Sequence, residues 1–126
     1  AISLNPNYAE AHSNLGGILN DLGNLQEAEV FTRKAISLNP NYANAHLNLG
    51  IILKDLGKLK EAEFSYRKAI ELKPDYAMGH YLLSLIYSEE NLFNKAYEEI
   101  NLAIKYDSKN HIYQGELNRL KFIIDE

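Results

Sequence analysis

Three histidines, His12, His46 and His80, recur at a fixed step of 34 residues. Imidazole binds metals and moves protons near neutral pH, so these positions are the first place to look for chemistry. A zinc site would need the ring nitrogens within about 2.1 Å of one ion. Packed helices, however, stand about 10 Å apart, so equivalent residues of successive repeating units do not converge. The expectation is therefore packing, with no metal, no cofactor and no catalytic role; His111 falls off the ladder, at the start of a last helix. Two asparagines, Asn14 and Asn48, keep the same step. An amide offers a donor and an acceptor together and can clamp the backbone of an extended peptide. The ladder breaks at Leu82, and the alternative is that both asparagines are solvated polar residues of a near-duplicated unit. Asp21, Asp55 and Glu89 form a third row, an acidic one. The chain has no glycine-rich phosphate loop, no nucleophile beside a base and no acid pair set among apolar residues, so it does not read as an enzyme.

What must position these rows is a repeated unit. Residues 43–76 match residues 9–42 at roughly 22 of 34 positions, and residues 77–110 match more loosely. Within the unit, Ala45, Leu49, Ile52, Leu53 and Leu56 recur at helical spacing. Gly57 stops that helix, because glycine takes the left-handed conformation that ends one. Leu59, Ala62, Tyr66, Ala69, Ile70 and Leu72 are the stripe of a second helix, which Pro74 ends. The pattern predicts helical hairpins over 9–22 and 25–38, 43–56 and 59–72, and 77–90 and 93–106, then a last helix from 110 to about 124. Gly16 and Gly50 sit inside helices, where glycine costs about 1 kcal/mol against alanine. Their repetition predicts a close approach of the partner helix, with Ala28, Ala35, Ala62 and Ala69, then Ala96 and Ala103, as the matching small surface.

With Leu15-Gly16, Leu49-Gly50, the four alanines of the first two units, Pro40 and Pro74 in place, the chain resembles the tetratricopeptide repeat family over nearly its whole length. It departs where the family carries tryptophan, at His12, His46 and His80, and where it carries tyrosine, at Leu19 and Leu53; Tyr87 keeps the tyrosine. In the third unit Ser84 replaces the helix glycine, Asn91 the turn glycine and Ser108 the proline. Asparagine tolerates the left-handed cap, so the turn at Asn91 should survive. The segment A-x-A-H-x-N-L further resembles the repeats of the O-linked N-acetylglucosamine transferase array. The resemblance implies an all-α, right-handed superhelical solenoid of about three repeats (9–42, 43–76 and a divergent 77–110) and a capping helix at 111–126. It places the first helix of each unit on the concave side. The groove candidates are then Glu10, Ser13, Asn14, Gly17, Asn20 and Asp21; Asn44, Leu47, Asn48, Ile51, Lys54 and Asp55; and Met78, Tyr81, Leu85, Ser88 and Glu89. Their mixture suits a peptide with a basic part and an apolar anchor. Some co-chaperones of the family clamp a C-terminal carboxylate with lysines, an arginine and asparagines. Here the matching places hold Ser13, Gly17, Asn48, Met78 and Leu82, so that clamp is not expected.

Residues 1–8 repeat the letters of 35–42 and read as the remnant of a preceding repeat, an end open to end-to-end self-association. In the last helix Tyr113, Leu117, Leu120 and Ile124 should face the array, leaving Phe122 and Ile123 either to cover the third hairpin or to face a further element. The net charge of −4, with both signs interspersed, argues against nucleic acid as partner. No apolar run is long enough to span a bilayer, and the absence of cysteine rules out a disulfide frame. An intracellular, cytoplasmic setting is the expectation. Three functions fit: a module binding a protein or peptide segment in its groove, the substrate-recruiting repeat portion of a larger enzyme such as a glycosyltransferase, and a self-associating structural fragment.

Overall fold

The computed structural model describes residues 6–125. Its helices are α1 (Pro6–Asp21), α2 (Leu25–Leu38), α3 (Ala43–Asp55), α4 (Leu59–Leu72), α5 (Ala77–Glu89), α6 (Phe93–Tyr106) and α7 (His111–Ile124), with no strand among the described residues. The chain divides into two compact units, residues 1–73 and 74–126. In the first, α1 pairs with α2 and α3 with α4, and α3 packs against both helices of the preceding hairpin. In the second, α5 pairs with α6, and α7 packs on α6.

The helix bounds follow the sequence reading to within a residue or two except at α1, which begins at Pro6 rather than Ala9. Proline suits a first helical position because its missing N–H is not needed there. The same tripeptide, Pro-Asn-Tyr, is non-helical at 40–42. Local propensity is identical in the two places, so context decides the conformation. The end-to-end contact expected of residues 1–8 falls on residues outside the described ones, apart from 6–8, which belong to α1.

Each hairpin closes through the same turn. Lys58 donates its backbone N–H to the Leu53 carbonyl (2.8 Å) and Gly57 donates to Lys54 (2.9 Å), the paired bonds that satisfy the last carbonyls of a helix. The turns at Gly23 and Asn91 repeat the pattern. Gly23, Gly57 and Asn91 have φ of 83°, 84° and 61°, so asparagine does take the left-handed position in the third turn.

Close helix approach explains the interior glycines. A Cβ on Gly50 would strike the Tyr66 ring and lie 3.2 Å from the Ala62 carbonyl oxygen; one on Gly16 would strike Thr32 and lie 3.2 Å from the Ala28 oxygen. In the third hairpin the Ser84 hydroxyl donates to the Ala96 carbonyl at 2.8 Å, and Ile100 stands where Tyr66 stands one repeat earlier. Ala28, Ala35, Ala62, Ala69, Ala96 and Ala103 are all completely buried, as the small surface facing these positions requires. On α7, Asn110 is the cap rather than the first helical residue, and its side chain accepts from the Ile112 and Tyr113 N–H groups. Tyr113 and Leu120 are buried against the hairpin, but Ile124 is exposed, and Phe122, at 70% exposure, does not cover it.

Candidate functional site

The α1–α3 face of the first unit holds a cleft of about 600 Å³. Its walls carry Asn14, Asn20 and Asp21 from α1 and Asn48 and Ile51 from α3, and Gly17 lies between them. The cleft thus gathers Asn14, Asp21, Asn48 and Ile51 from the expected groove residues, while Glu10, Asn44 and Asp55 stay outside its lining on the same two helices.

Three of the expected groove residues, Asn48, Ser13 and Leu47, behave differently from the sequence expectation. Asn48 donates its amide to the Ser13 hydroxyl at 2.9 Å and to the Ser13 carbonyl at 3.3 Å, so that amide stitches α3 to α1. Ser13 is accordingly buried, and so is Leu47; neither lines an open surface. Asn14, by contrast, is exposed. Asn20 carries a buried side-chain oxygen that has no hydrogen-bond partner among the described residues.

Gly17 is unlike Gly16. A Cβ added to it would meet nothing closer than the Asn48 amide nitrogen at 3.9 Å, and its φ is not left-handed. Nothing in the packing requires glycine here, so its effect is to keep the cleft open beside the α1 backbone. The acids have a separate cost. Asp21, Asp55 and Glu89 are the last residues of α1, α3 and α5, where the helix dipole is negative. Each is disfavoured there by about 0.3–1 kcal/mol. Asp21 and Asp55 have no ion-pair partner among the described residues.

The corresponding face of the second unit is apolar. Met78 is exposed, and Tyr81 and Leu85 are half-buried. Two contacts that sequence spacing did not signal tie α7 to this face. The Tyr81 and Tyr113 rings lie 4.8 Å apart, and Arg119 donates to the Ser88 hydroxyl at 2.6 Å. Burial pushes the Tyr113 phenol up, with the Asp107 carboxylate and Tyr81 adding to it. The Glu116 carboxylate holds the Arg119 guanidinium up against the opposing effect of burial. Ile112 and Phe122, one repeat step beyond Met78 and Ser88, are 64% and 70% exposed.

The three repeat histidines contact neighbouring backbone or rings. His46 bonds the Pro40 carbonyl through Nε2 at 2.8 Å, and His80 bonds the Pro74 carbonyl at 2.9 Å. His12 lies edge-on to Tyr8 and stacks on Phe31. Among the described residues no group of three or more His, Asp or Glu side chains is placed to hold a metal ion, and no helix is long and apolar enough to cross a membrane. A smaller cleft of about 330 Å³ opens among α2, α3 and α4, beside Ile36, His46 and Phe64. Its signal in the sequence, overlooked there, is that Val30 and Phe64 put apolar side chains at equivalent outward positions; they are 66% and 73% exposed.

Residues 9–42 and 43–76 match one family model described as Tetratricopeptide repeat, and residues 79–110 match a second of the same description. No curated protein matches the chain. Among solved structures, the first TPR of Spaghetti (RPAP3) bound to the HSP90 peptide SRMEEVD superposes with a TM-score of 0.90 over 100% of both chains. At 16% identity, that likeness is one of fold. The crystal structure of MamA is 29% identical with a TM-score of 0.75, over 80% of this chain and 59% of MamA.

Proposed function

The chain belongs to the tetratricopeptide repeat family, and we propose that it is a protein-interaction module whose α1–α3 cleft holds an extended peptide carrying a basic side chain. The observation that carries this reading is the cleft itself, open at Gly17 and bounded by Asn14 and the unpaired Asp21. An extended backbone can lie against Gly17 because no side chain stands there, and the Asn14 amide can both donate to it and accept from it. A lysine or arginine near Asp21 gains a carboxylate and the negative end of α1 together, which offsets the cost of an acid at that position. Glu10, Asn44 and Asp55 extend the acidic and polar rim. On the second unit, Met78, Tyr81, Leu85 and Glu89 offer an apolar surface of its own with an acid beside it. Of the two asparagines that resemble the transferase array, Asn14 is the one whose amide this reading gives to the peptide, since the Asn48 amide is engaged with Ser13.

The peptide in the Spaghetti complex is acidic, and this cleft, whose charged lining residue is Asp21, has the same sign and would repel it. Ser13 is buried, Gly17 has no side chain, and no lysine or arginine lines the cleft. The test is fluorescence anisotropy with two labelled peptides, SRMEEVD and a lysine-containing peptide of equal length. The unmodified chain should bind the basic peptide at least about tenfold more tightly, with affinity falling as salt rises. An Asn14→Ala, Asp21→Asn variant of equal helicity should lose that preference. Preferential binding of SRMEEVD, undisturbed by the variant, would replace this reading with an anion-binding one.

A further inference from the structure

Among the described residues, His80 is the one repeat histidine whose two ring nitrogens both face oxygen acceptors. Its Nδ1 lies 2.8 Å from a Glu99 carboxylate oxygen on α6, and its Nε2 lies 2.9 Å from the Pro74 carbonyl in the turn before α5. The residue is 95% removed from solvent, with Tyr106 stacked on the ring at 5.8 Å. A carbonyl can only accept, and an ionised carboxylate can only accept. Both bonds form together only when both nitrogens carry hydrogen, that is, when the ring is an imidazolium.

Its counterparts lack this arrangement. His46 bonds Pro40 through Nε2 in the same way, but Ser65 stands where Glu99 stands; at His12 that place is Phe31. The carboxylate is therefore an addition of the third repeat, the one that also lost its helix glycine and its proline. We propose that His80 is a standing imidazolium at neutral pH, and that the turn before α5 is clasped to α6 only while the ring is charged. Residues 74–80 are then a protonation-controlled latch. Pro74, His80 and Glu99 all belong to the second unit, so the latch acts within that unit.

The groups around the ring are few. From α6 they are Glu99 and Tyr106, with the Lys105 ammonium 5.5 Å over the Tyr106 ring; from the turn they are the Pro74 carbonyl and the exposed Asp75. On α7, Glu116 and Arg119 pair with each other. Burial opposes the charged ring, but the Glu99 hydrogen bond, the Pro74 carbonyl and the Glu99 charge together raise its pKa above the ordinary 6.5. On deprotonation one nitrogen keeps its hydrogen and the other turns a lone pair toward an oxygen. Either the link to α6 or the link to the turn must then break.

The experiment is an NMR titration of the intact chain with ¹⁵N-labelled imidazoles, reading His80 against His46 in the same molecule. Both His80 nitrogens should be protonated at pH 7, and the ring should titrate above the ordinary imidazole value of 6.5. Amide exchange at residues 75–79, corrected for its intrinsic pH dependence, should rise through the same titration, while residues 41–45 stay flat. Glu99→Gln should move the His80 titration down and bring the loss of protection down with it. A neutral His80 at pH 7, a titration unmoved by Glu99→Gln, or flat protection at 75–79 across the His80 titration would each overturn the latch.

Discussion

The second and third hairpins bring two helices to the same close approach with different residue pairs. In α3–α4, Gly50 has no side chain and the Tyr66 ring occupies the space its Cβ would need. In α5–α6, Ser84 does carry a Cβ, its hydroxyl bonds the Ala96 carbonyl, and the facing residue is Ile100. The small residue and the residue opposite it are thus one choice made twice. A glycine matched to a ring gives contact without a hydrogen bond, whereas a serine matched to a branched aliphatic side chain gives both. The same contrast holds at the histidines. His46 makes one bond to backbone, and His80 joins backbone to a carboxylate.

Exchanging one member of a pair is the most damaging way to break this comparison. Gly50→Ser places a Cβ and a hydroxyl against the Tyr66 ring, an overpacking that costs about 1–3 kcal/mol. In urea unfolding followed by circular dichroism, the first unit should lose that much. Adding Tyr66→Ile rebuilds the pair found in the third hairpin and should recover most of the loss. A double variant whose loss is the sum of the losses of Gly50→Ser and Tyr66→Ile made singly would mean that the two sites do not couple and that the pairs are not interchangeable.

Glu99→Gln tests the second contrast, with a loss of about 1.5–3 kcal/mol for a hydrogen bond to a charged group. The pH dependence fixes its sign. Because the His80 pKa is raised in the folded chain, its contribution is complete below about 6.5 and fades as pH rises through the folded value. The variant should therefore differ most from the unmodified chain in mildly acidic solution and converge with it at alkaline pH. In the second hairpin, Ser65→Ala should show no such pH dependence, since Ser65 stands at the place of Glu99 without its charge. Convergence toward acid rather than alkali would reverse the assignment.

These residues also mark where the sequence was legible. Helix bounds, the helix-ending turns and the glycine contacts could be read because each is local or recurs at the repeat step, and repetition separates a packing requirement from chance. The Asn48–Ser13 bond could not be read that way, nor could Arg119–Ser88 or His80–Glu99. Their separations of 35, 31 and 19 residues lie outside helical spacing and off the 34-residue step. Each depends on how a neighbouring helix is rotated, which no period encodes. The candidate cleft shows the consequence. Asn14 and Asn48 look equivalent in sequence, but Asn48 bonds Ser13 of α1 whereas Asn14 is exposed. Gly17 lines the cleft, and its difference from Gly16 comes only from what surrounds it.

The first hairpin supplies the smallest and sharpest test of the pairing rule. Its pair is Gly16 with Thr32, and Thr32 is fully buried with a hydroxyl that has no hydrogen-bond partner among the described residues. A buried hydroxyl without a partner carries its desolvation cost and returns nothing. Valine has the same shape and the same stiffness at χ1, so Thr32→Val keeps the contact with α1 and removes the cost. Ser84→Ala does the reverse, deleting a hydroxyl that is bonded at 2.8 Å, and should lose about 1 kcal/mol. Thr32→Val should be neutral or stabilising by up to about 1 kcal/mol. Measured side by side by thermal unfolding, the two substitutions should move the midpoint in opposite directions, or only Ser84→Ala should move it. A loss at Thr32 equal to that at Ser84 would show that its hydroxyl is bonded after all, and that the first hairpin belongs with the third rather than with the second.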